Sequence, residues 1–202
     1  FGSSQAAHSQ QRGDHVHSLV REVALYGSPV QGRSRHFIMS SFNQESLYEK
    51  FVASGQVRQG DFEYLLETLG DPPDLKRLNR WLRRRDLGEP LEYITGFQVF
   101  RERRFSVDKR VYITDPELTH LVDSVVESGK KLIKERGTSP TIVEFGVGCG
   151  SLAISIKKEL PQARVIGLDI DSDAIVVSRE NARFHHVDLD LLESDYFSDL
   201  PS

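Results

Sequence analysis

From Asn43 to Leu87 the apolar residues recur at helical spacing. Leu47, Phe51 and Val52 share one face. Phe62, Leu65, Leu66 and Leu69 form a second stripe, with Asp61 expected as its N-cap. Gly70-Asp71-Pro72-Pro73 interrupts the pattern, and Asp74 stands where it can cap a third helix carrying Leu75, Leu78, Trp81 and Leu82. Gly88-Glu89-Pro90 stops that helix. Beyond it Phe97, Val99, Phe105 and Val107 alternate as in a hairpin around the charged turn Arg101–Arg104. Helical spacing returns from Pro116 to about Lys134, with Leu118, Leu121, Val122, Val125 and Val126 on the apolar side, and Gly137 and Pro140 end it.

The pattern then changes in kind. Thr141-Ile142-Val143-Glu144-Phe145 is a short β-branched run, read as a buried strand. It enters Gly146-Val147-Gly148-Cys149-Gly150, and a helix opens at Ser151 and stops before Pro161. Ala163 to Leu168 is a second strand that ends in Asp169. A helix from Ser172 to about His185 and a third strand, Val187 to Leu192, come next. Glycines let a backbone turn sharply and approach a ligand closely, and the helix start beyond them offers free N–H groups. An acid at the tip of the second strand can accept hydrogen bonds from both ribose hydroxyls. The third glycine comes one residue too early for a dinucleotide fingerprint. With Glu144 two residues ahead, the loop reads E-x-G-x-G-x-G, the form that serves S-adenosylmethionine, a ligand without phosphate. After the third strand, Asp195 and Tyr196 can meet an adenine amino group and ring. Cys149 reads as a small residue filling a tight loop rather than a nucleophile, because no base is implied nearby. Asp169 could also cap the helix at Ser172.

Composition narrows the function classes. Hydrophobic residues are 38% and charged residues 28% of 202, which suits a globular chain. No apolar run approaches the ~20 residues of a membrane helix. The one cysteine excludes an internal disulfide and a cysteine-built zinc site, and it fits the cytoplasm. A net charge of −4 gives no global basic field, so strong non-specific nucleic-acid binding is not expected. Arg80, Arg83, Arg84 and Arg85 are a local exception. They could grip RNA or an acidic partner, or form a solvated helix face. Residues 1–38 hold His8, His15, His17 and His36 at spacings that match no ligand geometry. This stretch reads as a leader, tag-derived or poorly ordered, rather than a metal site.

Gly88-Glu89-Pro90-Leu91-Glu92-Tyr93-Ile94-Thr95-Gly96 resembles the G-E-P-x-x-Y-I-x-G linker of the HemK-type protein-(glutamine-N5) methyltransferases. The resemblance continues through Phe105–Asp108, Val111–Ile113, the glycine loop, Gly167–Asp171, Arg179–Ala182 and Ser194–Phe197. It implies an α/β class I S-adenosylmethionine-dependent methyltransferase, Rossmann-like and incomplete at the C-terminus. A small helical domain and a β-hairpin linker would precede it. The implied organisation is a leader at 1–38 and an N-terminal helical substrate-recognition domain at 39–87. A linker with a hairpin occupies 88–113, and the first half of the methyltransferase domain 114–202. It implies S-adenosylmethionine held by Gly146, Val147, Gly148, Cys149, Gly150, Asp169, Asp195 and Tyr196, and a peptide-chain release factor as partner. No membrane, no metal and no nucleic acid are implied.

The chain departs from the family pattern twice. Ile113-Thr114-Asp115-Pro116-Glu117-Leu118 stands where the family has I-P-R-P-E-T, so Asp115 occupies the arginine slot. The family's substrate motif, Asn-Pro-Pro-Tyr, is absent, and the sequence holds no Asn-Pro dipeptide, so no catalytic residue is assigned. Three readings compete with glutamine methylation: a methyltransferase for nucleic-acid amino groups, a cofactor-binding scaffold without catalysis, and a dinucleotide-dependent oxidoreductase.

Overall fold

The computed structural model describes residues 42–196; the reading of 1–38 as a leader lies outside the described residues, as does Phe197. Four helices come first: α1 (Phe42–Tyr48), α2 (Gln59–Thr68), α3 (Leu75–Asp86) and α4 (Leu91–Thr95). The chain continues from α1 in a wider π-helical turn, Glu49–Ala53. Phe51, Phe62, Leu65, Leu78, Trp81, Leu82 and Ile94 close a core among them, as the helical stripes predict. Asp74 caps α3 as expected, its Oδ1 accepting from the N–H groups of Lys76 and Arg77, each at 3.0 Å.

Asp61 does not cap α2. The helix starts after Arg58, and the Asp61 carboxylate turns to the arginines, accepting from Arg85 at 2.7 Å and Arg58 at 3.2 Å. Two charged donors in a nearly dry position outweigh a single backbone N–H. The basic cluster is therefore divided. Arg85 ties α3 to α2. Arg84 donates two bonds to Glu89, at 2.6 and 2.8 Å, and others to the carbonyls of Tyr93 and Ile94. Arg80 and Arg83 stay exposed.

The stretch read as a plain linker contains α4. Pro90 precedes its first turn, and Gly96 closes it at φ 84°, a conformation that a Cβ would strain. Strands β1 (Phe97–Phe100) and β2 (Arg103–Ser106) then pair antiparallel across a two-residue turn, Arg101-Glu102, with φ of 48° and 60°. The expected turn was longer, and this shortening sets the phase. Gln98 lies opposite Phe105, so Gln98 and Phe100 face inward while Val99 is exposed, contrary to the alternation read for Phe97 and Val99.

The hairpin is clamped onto two later helices. Arg101 pairs with Asp123 of α5 (Thr119–Arg136) and with Glu159 of α6 (Ser151–Glu159), and Arg103 joins Glu159 at 3.0 Å. Helix α5 buries Val122 and Val126, whereas Leu118 and Leu121 remain exposed, a narrower apolar side than expected. At Gly129 a Cβ would collide with Leu160, so this glycine lets α5 approach the end of α6.

Strands β3 (Thr141–Phe145), β4 (Arg164–Asp169) and β5 (Asp190–Glu193) form a parallel sheet in that order, joined by α6 and by α7 (Ser172–Phe184). The central strand β4 is buried through Val165, Ile166, Gly167 and Leu168. Strand β3 is not buried as read; it is an edge of this sheet, and none of its residues is fully covered. Asn181 of α7, fully buried, joins the pieces. Its Oδ1 accepts from Ser106 N at 2.8 Å, and its Nδ2 donates to the carbonyls of Ser106 at 3.0 Å and Cys149 at 2.8 Å. No described helix is long and apolar enough to cross a membrane. Asn181→Ala leaves these backbone groups without that partner, and we expect a loss of about 2–4 kcal/mol in urea unfolding. A loss below ~0.5 kcal/mol would show that the side chain is not a fastening.

Candidate cofactor site

The site is built at the carboxyl ends of the parallel strands, where open α/β sheets bind ligands. Strand β3 ends at Phe145, and Gly146, Gly148 and Gly150 all take positive φ, at 71°, 52° and 83°. The loop is latched at both ends. Val147 N–H donates to Leu168 O at 2.9 Å, and Gly150 N–H to Val147 O at 2.8 Å. Val147 then lies against Gly167, where a Cβ would come within 2.7 Å of its Cγ2 and 2.8 Å of Leu191 Cδ2. A glycine is therefore required in β4 beneath the loop, and it is the one in Gly167-Leu168-Asp169.

Asp169 lies at the end of β4, half-buried. Its Oδ2 accepts from Gly148 N–H at 2.9 Å and its Oδ1 from Asp171 N–H at 3.0 Å. Each oxygen keeps a lone pair for a ligand hydroxyl. The cap of α7 is Asp171, which accepts from Asp173 N–H at 2.9 Å. Asp169 is thus available to the loop and to a ligand.

Cys149 is turned away from the sheet end. Its buried Sγ lies 3.2 Å from Gln98 Nε2 and 3.6 Å from Thr114 Oγ1. Only its backbone can face a ligand. Thr114 Oγ1 also lies 2.7 Å from Ser151 Oγ, at the first residue of α6, while Gln98 both donates to Thr114 Oγ1 and accepts from Thr114 N–H, each at 2.7 Å. A polar chain thus runs from the hairpin to the start of α6. Asp115, the charge-reversed position, caps the short 3-10 turn Pro116–Leu118 by accepting from Glu117 N–H at 2.9 Å.

A cavity of about 310 Å³ opens beside the loop, lined by Phe145, Gly146, Leu168, Ile170, Ser194, Asp195 and Tyr196. The Tyr196 ring, 68% exposed, lies 5.9 Å from the Phe145 ring at a tilt of 44°. The structure thus brings Gly146, Asp195 and Tyr196 into one cavity, while Gly148 and Asp169 form the adjoining polar rim. Sequence reasoning missed Phe145 and Ile170 as cavity walls. The available signal was a bulky apolar residue directly before the first glycine and another directly after the acid. It also missed Gln98, Thr114, Ser151 and Asn181 as supports of the loop, although Asn181 sits inside the Arg179–Ala182 motif.

Glu144 lies behind the loop. Its Oε2 is buried and has no hydrogen-bond partner among the described residues. Desolvation raises its pKa to about 8, the Ala153 backbone N–H opposes the rise, and the Asp169 charge adds to it.

A parallel strand, glycine loop, helix and strand, an acid at the second strand tip and an aromatic-walled cavity beside the third strand define a class I methyltransferase fold. The Methyltransferase small domain family matches residues 126–202. A bifunctional methyltransferase of Rickettsia felis is 33% identical over 165 residues, 68% of this chain and 31% of its own length. A release factor glutamine methyltransferase of Chlorobaculum tepidum is 37% identical over 123 residues, 57% of this chain and 40% of its own. A 4-amino-L-phenylalanine/4-methylamino-L-phenylalanine methyltransferase of Streptomyces pristinaespiralis is 30% identical over 128 residues, 63% of this chain and 42% of its own. The chain belongs to the HemK-type protein-(glutamine-N5) methyltransferase family, and it spans less than half the length of these curated relatives.

Glu144 yields a pH prediction. Its folded pKa of about 8 lies above the ordinary carboxylate value of 4.5, so the folded chain holds a proton that the unfolded chain has lost. Stability falls as pH rises from about 4.5 to about 8, and the whole penalty is present above that. We expect Glu144→Gln to melt with wild type near pH 5 and above it near pH 8.5. Equal melting temperatures at both pH values would refute a buried neutral acid.

Proposed function

We propose that this chain binds S-adenosylmethionine and carries the cofactor half of a methyltransferase acting on the side-chain amide nitrogen of a glutamine in a peptide-chain release factor. The carrying observation is the convergence of the positive-φ loop Gly146–Gly150, the half-free Asp169 carboxylate and the Phe145–Tyr196 cavity at one sheet end. The residues suit the ligand. The cavity has aromatic and apolar walls for a purine, and Asp195 on its rim can accept from an exocyclic amino group. Asp169 can accept from ribose hydroxyls. The glycine loop offers backbone without side chains, and Glu144 behind it supplies a buried carboxyl for an amino-acid moiety.

When bound, S-adenosylmethionine supplies an electrophilic methyl group on a sulfonium. The chain's own residues position that ligand. Asp169 orients the loop by holding Gly148 N–H, and Asn181 with the Gln98–Thr114–Ser151 chain keeps the loop from shifting when the ligand enters. Positioning is the main demand of a direct transfer to a planar nitrogen. The helical layer of residues 39–87 is read as the part that seats the protein substrate. Sequence kinship with release factor glutamine methyltransferases supports the acceptor. The kinship with a methyltransferase named for an aromatic amine supports a second reading, in which the acceptor is an arylamine.

Titration calorimetry with S-adenosylmethionine tests the cofactor claim; no binding at millimolar ligand refutes it. Asp169→Ala should weaken binding by at least about tenfold and Tyr196→Ala by about fivefold. Tighter binding of a nicotinamide dinucleotide would favour the oxidoreductase reading instead. Methyl transfer from labelled cofactor to a release factor, to 4-aminophenylalanine and to an oligonucleotide separates the acceptors.

A further inference from the structure

A row of exposed residues runs along α3 opposite its buried side. Lys76, Arg80, Arg83 and Leu87 recur at four- and three-residue steps, so they share one helix face about 16 Å long. Leu78, on the reverse face, is fully buried. Arg84 and Arg85 are absorbed by Glu89 and Asp61, but Lys76, Arg80 and Arg83 make no ion pair among the described residues. Arg77 beside them lies over the Trp81 ring at 4.7 Å. The nearest acids are Asp74, which caps the helix, and Asp86 on the flank.

The row ends on an apolar residue. Leu87 is 86% exposed, and it lines a cavity of about 570 Å³ with Gly88, Glu89, Pro90, Tyr93 and Lys109. Glu89 there is neutralised by Arg84 and by Lys109 at 3.7 Å. A solvated helix face explains three cations. It does not explain a bare leucine in line with them at the lip of a cavity, where exposure costs apolar hydration.

We propose that this row and the cavity at its end dock an acidic protein segment that presents a bulky apolar side chain. Carboxylates of the segment would meet Lys76, Arg80 and Arg83, and its apolar side chain would cover Leu87 and Pro90. Residues 1–38 have the wrong sign for this role, with Arg12, Arg21, Arg33 and Arg35 against Asp14 and Glu22. An acidic partner also fits a chain that is negative overall and basic only here. The surface is separate from the glycine-loop site, so the proposal does not rest on the cofactor reading.

Fluorescence anisotropy with three labelled probes tests it: a glutamate–tyrosine copolymer, poly-L-glutamate and poly-uridylate. The copolymer should bind tightest, and its affinity should fall as salt rises. Arg80→Glu with Arg83→Glu should weaken copolymer binding by about tenfold. Leu87→Ser should weaken it by about fivefold while leaving poly-L-glutamate unchanged. Both variants change exposed residues, and an unaltered melting temperature and S-adenosylmethionine titration would show an intact chain. Unchanged copolymer affinity in the charge-reversed variant overturns the proposal. So does poly-uridylate binding as tightly as the copolymer, which would make the surface one for RNA.

Discussion

The glycine loop must present bare backbone to a ligand and still hold one shape. Glycines cannot do both, because the freedom that admits positive φ also admits many other conformations. The structure resolves this with side chains from elsewhere. Asn181 reaches from α7 to the carbonyl of Cys149 and, with the same amide, pairs both backbone groups of Ser106 in the hairpin. Asp169 holds Gly148 from the neighbouring strand tip. The loop is thus immobilised from the side and from below, leaving its ligand side clear.

The hairpin gains its meaning from the same constraint. It is small, and a two-stranded ribbon has little stability of its own. Its turn is anchored by Arg101 and Arg103 on Glu159, and its inward face sends Gln98 to Thr114 and Cys149. Thr114 passes the contact to Ser151 at the start of α6. The segment that departs from the family pattern thus carries a hydrogen-bonding residue at its second position and a capping acid at its third. Both have local partners, so the changed residues are built into the structure rather than left over.

Electrostatics separates two kinds of charge in the molecule. Arg84, Arg85, Arg101 and Arg103 are spent on internal joints, each with a carboxylate at 2.6–3.0 Å. Such partly buried, geometrically defined pairs fix how elements meet more than they add stability. The cations left on α3 have no such duty. Glu144 is the opposite case, an acid kept neutral by burial within reach of the Asp169 charge.

The sequence by itself determined the element order and the place of the ligand-facing loop. Glycine spacing, a strand before, a helix after and an acid at the next strand tip are local signals that survive without tertiary context. Hydrophobic period likewise located α2, α3, α5 and the hairpin. What it could not decide were matters of partner and phase. Asp61 reads as a cap until Arg85, far along the chain, comes within 2.7 Å. Val99 reads as inward until a two-residue turn sets Gln98 opposite Phe105. Strand β3 reads as buried because β-branched runs usually are, yet its coverage depends on which strands lie beside it. Nor does any pattern reveal that Asn181 and Thr114 brace the glycine loop, because a hydrogen bond across 75 or 37 residues leaves no periodic trace in the chain. Tertiary structure alone decided these points, since each depends on which distant group arrives to compete for the same atom.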